Sequence, residues 1–134
     1  MKKFLLLFLT LGMLTACSSD DDNASSDKVT SIDITLEDAN GEKVEGVVVY
    51  AYNENTWETI GEDTLFANFQ AASGEDGVAT FSNLTTDTTF NEITNYSQTF
   101  RFSAYYTAGG TDKIKTKAIS FELGEDKSET IILD

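Results

Sequence analysis

Few side chains in this chain could carry out chemistry, because its 134 residues include no histidine and a single cysteine, Cys17. Without an imidazole there is no Ser-His or Cys-His pair, no histidine general base and no usual zinc site. Two carboxylate pairs, Glu62/Asp63 and Glu75/Asp76, could in principle act as the acid and base of a hydrolase. Both lie in turn-like sequence, without the apolar surroundings that tune catalytic carboxylates. We therefore predict a protein that is not an enzyme, whose one reactive group is the Cys17 thiol.

The sequence before Cys17 has the organisation of an export signal. Lys2 and Lys3 are followed by an apolar run over residues 4–14, which is too short for a helix that crosses a bilayer. Ordinary signal peptidase would have to accept the bulky Leu14 at a position that favours small residues. Leu14-Thr15-Ala16-Cys17 instead resembles the lipobox of bacterial lipoproteins. The resemblance implies that residues 1–16 are removed and that the Cys17 sulfur carries acyl chains such as palmitate.

An acidic, polar stretch follows the cysteine. Residues 17–28 are mostly Ser, Asp and Asn, which predicts a flexible tether between the lipid and the domain. Asp20-Asp21-Asp22 resembles the surface-export signal of Bacteroidota lipoproteins, although a plain solvated tether has the same composition. The resemblance implies a lipid-anchored protein of the outer membrane that is exposed at the cell surface.

The charge of the chain limits its partners. Loss of Lys2 and Lys3 with the signal changes the formal net charge from −14 to −16. Such a charge repels nucleic acid and anionic lipid headgroups, so we expect contact with the membrane only through the lipid anchor. A single cysteine excludes a disulfide within the chain.

Residues 29–134 show the alternating hydrophobicity of β-strands separated by turns, with no helical period. Asp38-Ala39-Asn40-Gly41 predicts a tight hairpin turn, and residues 53–63, which contain the only tryptophan, are predicted to be irregular. Three lysines in alternate positions predict an exposed edge strand near the C-terminus. About seven strands are expected, near residues 29–36, 43–52, 64–72, 78–84, 98–107, 113–123 and 129–133. We predict one all-β domain, an antiparallel β-sandwich.

The sandwich pattern is similar to that of the carboxypeptidase-regulatory-like, or transthyretin-like (prealbumin-like), family. The similarity lies in residues 41–50, in the turn, strand and Asn-Leu of residues 74–84, and in residues 100–106 and 129–133. It implies an Ig-like or prealbumin-like fold. One branch of the group hydrolyses hydroxyisourate with histidines and a C-terminal Tyr-Arg-Gly-Ser, and this chain has neither, so that activity is not implied.

Calcium is the one metal that the sequence leaves open. Asp38, Asn40 and Glu42 place oxygen ligands in one turn, and calcium prefers such ligands. The spacing is not that of an EF-hand, and Asp and Asn are also the residues that ordinary turns favour. Apart from this candidate and the covalent lipid on Cys17, we expect no cofactor.

Five aromatic residues are candidates for a ligand surface: Trp57, Tyr50, Tyr52, Tyr96 and Tyr105. Each combines a flat apolar ring with a polar tip, which suits contact with a sugar or a protein. The alternative is that they only pack over the sheets.

Two threonines are candidates for modification. Asp63-Thr64-Leu65 and Asp87-Thr88-Thr89 resemble the acceptor motif for O-glycosylation in secreted Bacteroidota proteins. The motif is short, and it also arises by chance in a threonine-rich chain.

These observations favour a surface lipoprotein that acts as a non-enzymatic binding or accessory module, with a protein or a glycan as partner. Two alternatives remain open. One is a structural subunit that assembles by strand exchange, like fimbrillin-type lipoproteins. The other is a carbohydrate-binding lipoprotein of a glycan-uptake system.

Overall fold

The structure, a computed structural model, describes residues 28–90 and 96–134. Within these ranges the chain forms seven strands and one α-helix, α1 (Glu54–Ile60). The strands are β1 (Ser31–Asp38), β2 (Val48–Asn53), β3 (Phe69–Ala72), β4 (Val78–Phe81), β5 (Ser97–Ala108), β6 (Thr111–Glu122) and β7 (Asp126–Leu133). Residues 28–90 and 96–134 include no helix with the length and hydropathy needed to span a membrane.

The strands form two sheets, one of three strands in the order β4-β1-β7 and one of four in the order β3-β2-β5-β6. All pairs are antiparallel except β1 and β7, which run parallel from the Ser31–Asp126 pair to the Asp38–Leu133 pair. The predicted all-β sandwich of about seven strands is therefore confirmed, and the parallel pair is the departure from it. Such pairing depends on residues far apart in sequence, and local alternation does not encode it.

The core lies between the two sheets and follows the alternation seen in the sequence. Ile32, Ile34 and Leu36 of β1 are fully buried, and β5 contributes Phe100, Phe102 and Ala104 from the opposite sheet. The Phe102 ring lies 5.2 Å from that of Phe81 and 6.2 Å from that of Phe121, centroid to centroid. The Phe81–Phe102 pair joins the two sheets, the Phe102–Phe121 pair lies within the four-stranded sheet, and each buried aromatic side chain contributes a large apolar area.

The turn after β1 was predicted correctly, but the hairpin was not. Gly41 adopts φ +82° and its N–H donates to the Asp38 carbonyl at 3.0 Å, as a tight turn requires. Only one bridge, Glu37 to Lys43, follows the turn, and the chain then crosses to the other sheet. A longer hairpin cannot form, because β4 and β7 already occupy both edges of β1.

The segment predicted to be irregular, residues 53–63, contains α1. Asn53 caps this helix, since its Oδ1 accepts a hydrogen bond from the Thr56 N–H at 2.8 Å, and Gly61 at φ +81° ends it. The strand predicted over residues 64–72 begins only at Phe69, because Asp63 caps a short 3₁₀ turn at Thr64–Phe66. Both predictions were wrong for the same reason. Elements of three to seven residues are too short to show a helical period.

The edge strand predicted from the lysines is confirmed. β6 is the last strand of its sheet, and its unpaired side faces away from β5. Lys115 reaches Asp134 at 2.8 Å and Lys117 reaches Glu129 at 2.7 Å. The lysines thus extend from the edge of one sheet towards the last strand of the other.

Candidate functional site

The candidate site is a loop that covers the outer face of the four-stranded sheet. The loop spans residues 53–68 and contains α1 and the 3₁₀ turn. Its ends are joined at the sheet, because the Asn53 N–H donates to Asn68 Oδ1 at 2.9 Å and the Asn68 N–H donates to the Ala51 carbonyl at 2.9 Å. A compact surface segment with adjoining ends is an Ω-loop, a type of loop that is frequently functional. We refer to residues 53–68 as the cover loop.

The first half of the cover loop is held by Arg101 on β5. One guanidinium nitrogen lies 2.8 Å from Glu54 Oε2, and the guanidinium carbon lies 5.1 Å from the centroid of the Trp57 ring. Trp57 also meets the buried Tyr52 edge to face, with the ring centroids 5.6 Å apart. An ion pair, a cation–π contact and a ring contact therefore fix α1 to the sheet.

The second half is held by Glu62 through three hydroxyl groups of the sheet. Ser103 Oγ donates to the Glu62 carboxylate at 2.8 Å, and Thr116 Oγ1 donates to the same oxygen. Tyr105 Oη donates to the Glu62 backbone carbonyl at 3.0 Å. Glu62 therefore has a positioning role: these hydrogen bonds hold the second half of the cover loop against the sheet.

A buried phenol lies beneath the loop. Tyr52 is fully buried, and its hydroxyl makes no hydrogen bond of ordinary geometry with the described residues, although the Tyr105 phenol lies close enough to interact with it. Burial, followed by the neighbouring phenol of Tyr105, raises the pKa of Tyr52 well above its ordinary value. Burial likewise raises the pKa of Tyr105. Both tyrosines therefore remain neutral while the loop is in place.

The structure brings together four of the five predicted aromatic residues. Tyr50 and Tyr105 meet edge to face, with centroids 5.2 Å apart, next to the Tyr52–Trp57 pair. Tyr96 lies apart from them, because it precedes β5 at the end opposite Tyr105, roughly 30 Å away along an extended strand. Since Trp57 and Tyr52 pack against each other and Arg101, they form no open aromatic platform.

Three of the exposed side chains of the cover loop are large and apolar, a feature that the sequence analysis missed. Ile60 is 44% exposed, Phe66 is 53% exposed and Leu65 is 86% exposed, and no residue of α1 is buried. Leu65 lies in the stretch that was predicted to be a strand, residues 64–72. The Asp63 cap turns it outward instead, since Asp63 Oδ1 accepts the Leu65 N–H at 3.0 Å. The pattern Asp-x-Leu was the local signal for this turn.

The calcium candidates serve the turn after β1. One oxygen of Asp38 accepts the backbone N–H of Asn40 at 2.8 Å and that of Glu42 at 3.0 Å. Among the described residues, no group of three or more Asp, Glu, His or Cys side chains could hold a metal ion. The ordinary turn therefore accounts for the contacts of Asp38, and a calcium site has no support in this geometry.

The remaining carboxylates that were considered for catalysis also lie in turns. Asp63 Oδ1 caps the 3₁₀ turn, and Asp76 Oδ1 accepts the Val78 N–H at 3.0 Å before β4. Glu75, next to Asp76, is exposed. These contacts give Asp63 and Asp76 a role in forming their turns.

The two candidate glycosylation sites differ in exposure. Thr88 is exposed and follows the buried Asp87, whose Oδ1 accepts the Thr89 N–H at 2.8 Å. Thr64 is only half-buried and begins the 3₁₀ turn of the cover loop. The predicted signal peptide, Cys17 and the tether up to residue 27 lie outside the described residues.

Comparisons with known proteins bear on the fold. No protein-family profile matches the sequence, and no curated protein sequence matches it. The TIE protein of Bacillus anthracis superposes with a TM-score of 0.52 and 18% identity, over 78% of this chain and 16% of that one. The major pilin subunit of Bacillus cereus gives a TM-score of 0.47 and 20% identity, over 78% of this chain and 30% of that one. A candidate carbohydrate-binding protein of Pseudomonas aeruginosa gives a TM-score of 0.36 and 12% identity, over 85% of this chain and 94% of that one.

The chain spans only a small part of the first two of these solved structures. At such identities the likeness to the TIE protein extends to the fold alone. The chain therefore contains a β-sandwich domain of a kind found in bacterial proteins.

Proposed function

We propose that this chain is a lipid-anchored, non-enzymatic binding module at the bacterial cell surface, and that the cover loop is its contact element. One observation carries the binding role. Residues 53–68 are fixed to a rigid sheet at Arg101, Ser103 and Tyr105, while Ile60, Leu65 and Phe66 remain exposed. A loop that is held in place and directs apolar side chains outward suits recognition better than catalysis.

The anchor part of the proposal rests on the sequence. The lipobox-like Leu14-Thr15-Ala16-Cys17 supports acylation at Cys17, and the acidic residues behind it support export to the surface. Several acyl chains hold a protein on a membrane far more firmly than one chain does. Under this proposal the lipid is the only cofactor, and the exposed Thr88 is the better of the two O-glycosylation candidates.

The geometry favours a binding module over the two alternatives. A sugar cannot stack on Trp57 as the ring stands, because Arg101 lies over the ring and Tyr52 packs against it. Assembly by strand exchange would need an edge that accepts another chain, and at the edge formed by β6 the lysines work against such pairing. No comparable obstacle covers the apolar part of the cover loop.

The anchor is tested by expressing the chain and its Cys17→Ser variant in a bacterium that is fed labelled palmitate. We expect label and membrane partitioning for the unaltered chain, with both lost in the variant. Protease added to intact cells should cleave the domain, whereas a periplasmic marker should survive. Equal palmitate labelling of both proteins, or full protection of the domain, would contradict the proposal.

A further inference from the structure

We infer that the apolar residues of the cover loop bind a protein surface that combines an apolar pocket with a basic rim. This inference rests on the proposed binding function and names the chemistry of the partner. The contact surface consists of Ile60, Leu65 and Phe66, and we refer to these three residues as the apolar triad.

The apolar triad concentrates three large exposed apolar side chains in one short segment of the cover loop. Its members lie within seven consecutive residues, and all three are large and exposed. Exposed apolar residues that occur singly need no explanation, but a concentration of them marks an interaction site. Asn53 caps the start of α1 and Asp63 caps the start of the 3₁₀ turn, so side-chain hydrogen bonds hold the backbone of both elements. Little conformational entropy is then lost on binding.

The charge of the cover loop indicates the sign of the charge that its partner carries. Residues 53–68 contain four acidic side chains and no Lys or Arg: Glu54, Glu58, Glu62 and Asp63. Glu54 pairs with Arg101, and the Glu62 carboxylate accepts hydrogen bonds from hydroxyl groups of the sheet. Glu58 and Asp63, in contrast, are exposed and lie close in sequence to the apolar triad. A complementary surface therefore carries Lys or Arg around an apolar centre.

The same charges argue against other occupants. A second copy would bring a like-charged loop opposite this one, on a chain whose net charge is already −14. An anionic membrane surface is repelled for the same reason. A glycan needs flat ring faces, but two members of the apolar triad are aliphatic and Trp57 is engaged by Arg101. A basic, apolar protein surface is the occupant that remains.

The test uses the full-length product purified from cell envelopes in phosphatidylcholine nanodiscs, with empty nanodiscs as background. The probes are three sets of immobilised hexapeptides. One set mixes Lys with Leu and Phe, the second mixes Glu with Leu and Phe, and the third mixes Lys with Ser. We expect binding to the first set alone, with the affinity falling as salt is added.

Two double variants identify the surface. Leu65→Ser with Phe66→Ser should weaken binding of the Lys/Leu/Phe peptides about tenfold or more, because it removes the apolar anchors. Ile114→Ser with Ile132→Ser is the matched control, since it removes two side chains of similar exposure, 48% and 51%, outside the loop. This control should bind like the unaltered protein.

Four results would overturn the inference. They are equal binding by both double variants, equal binding of the Lys/Ser set, association between copies that depends on Leu65, and capture by phosphatidylglycerol vesicles that depends on Leu65. The peptide measurements are repeated with the Cys17→Ser variant in solution, which does not need the anchor, so failure of peptide binding with intact palmitate labelling refutes only the partner chemistry. The converse result refutes only the anchor.

Discussion

The guanidinium carbon of Arg101 lies 5.1 Å from the centroid of the Trp57 ring, and the same guanidinium group pairs with Glu54 at 2.8 Å. Arg101 is thereby the main link between β5 and α1, a helix with no buried residue of its own. The position of α1 therefore depends in part on this cation, and the dependence can be measured.

Replacement of Arg101 by Met should release α1 from the sheet. We expect a loss of about 1–2 kcal/mol in the free energy of unfolding, because a partly exposed ion pair and a cation–π contact are removed together. Urea unfolding gives this value. Trp57 is the only tryptophan, so a red shift of its fluorescence reports the loosened helix directly.

Arg101→Lys is the informative control for this prediction. Lysine keeps the charge near Glu54 but lacks the planar group that lies over the ring. Compared with Arg101→Met, this variant should therefore regain part of the lost stability, but its Trp57 fluorescence should stay red-shifted from that of the unaltered protein. Unchanged emission in Arg101→Met would show that Trp57 is held by Tyr52 alone.

Loss of the Tyr52 hydroxyl should not harm the protein at neutral pH. The hydroxyl is buried and makes no hydrogen bond of ordinary geometry with the described residues. Tyr52→Phe removes a polar group that lost its hydration on folding, so we expect an unchanged or higher stability, by up to about 1 kcal/mol. Tyr105→Phe is the matched control. It loses the bond to the Glu62 carbonyl and should cost about 1 kcal/mol.

The same pair predicts the alkaline behaviour. The pKa of Tyr52 is raised in the folded protein from an ordinary value of 10.0, chiefly by burial. Above about pH 10 the unfolded chain loses this proton while the folded chain keeps it, so stability is full below that pH and falls as the pH rises. Tyr52→Phe should flatten this fall in urea titrations at increasing pH. An equally steep fall in the variant would place the titrating group elsewhere.

Gly77 should be the least replaceable glycine of the sandwich. At φ +74° a Cβ there would lie 2.9 Å from Lys43 Cβ and 3.0 Å from the Leu36 carbonyl oxygen. Gly41 has a similar φ, +82°, but an added Cβ meets nothing within 4 Å. Gly41→Ala should therefore cost about 1–2 kcal/mol of backbone strain, and Gly77→Ala clearly more. Equal urea midpoints for the two variants would contradict the packing argument.

Alternation in the sequence located the strands because each strand has one face in the core. β5 was expected at residues 98–107 and spans Ser97–Ala108, with Phe100 and Phe102 inward as predicted. Both faces of the second strand carry apolar residues, which is typical of a strand that is central in its sheet or covered on one face. It is both, because β3 and β5 flank it and Trp57 packs on Tyr52.

The candidate site was harder to predict, because it depends on contacts between distant parts of the chain. Glu62 is 41 residues from Ser103 and 54 from Thr116, and no local pattern indicates that they meet. Tyr96 and Tyr105 are residues of the same type and were equal candidates in the sequence, yet most of the length of β5 separates them. The outward direction of Leu65 depends on one Asp63 cap, which competed with the apparent strand alternation.

The lysines of β6 should keep the protein from pairing edge to edge. A strand of twelve residues with one unpaired side is a template for another chain, and charged side chains are a common means of blocking it. Replacement of Lys113, Lys115 and Lys117 by Thr should therefore cause concentration-dependent association in size-exclusion chromatography. The change makes the net charge more negative, which by itself opposes association, so a larger species would report the exposed edge. Replacement of the same three residues by Glu is the matched control and should remain monomeric. A Thr variant that elutes as a monomer at every concentration would show that the edge is protected by another feature.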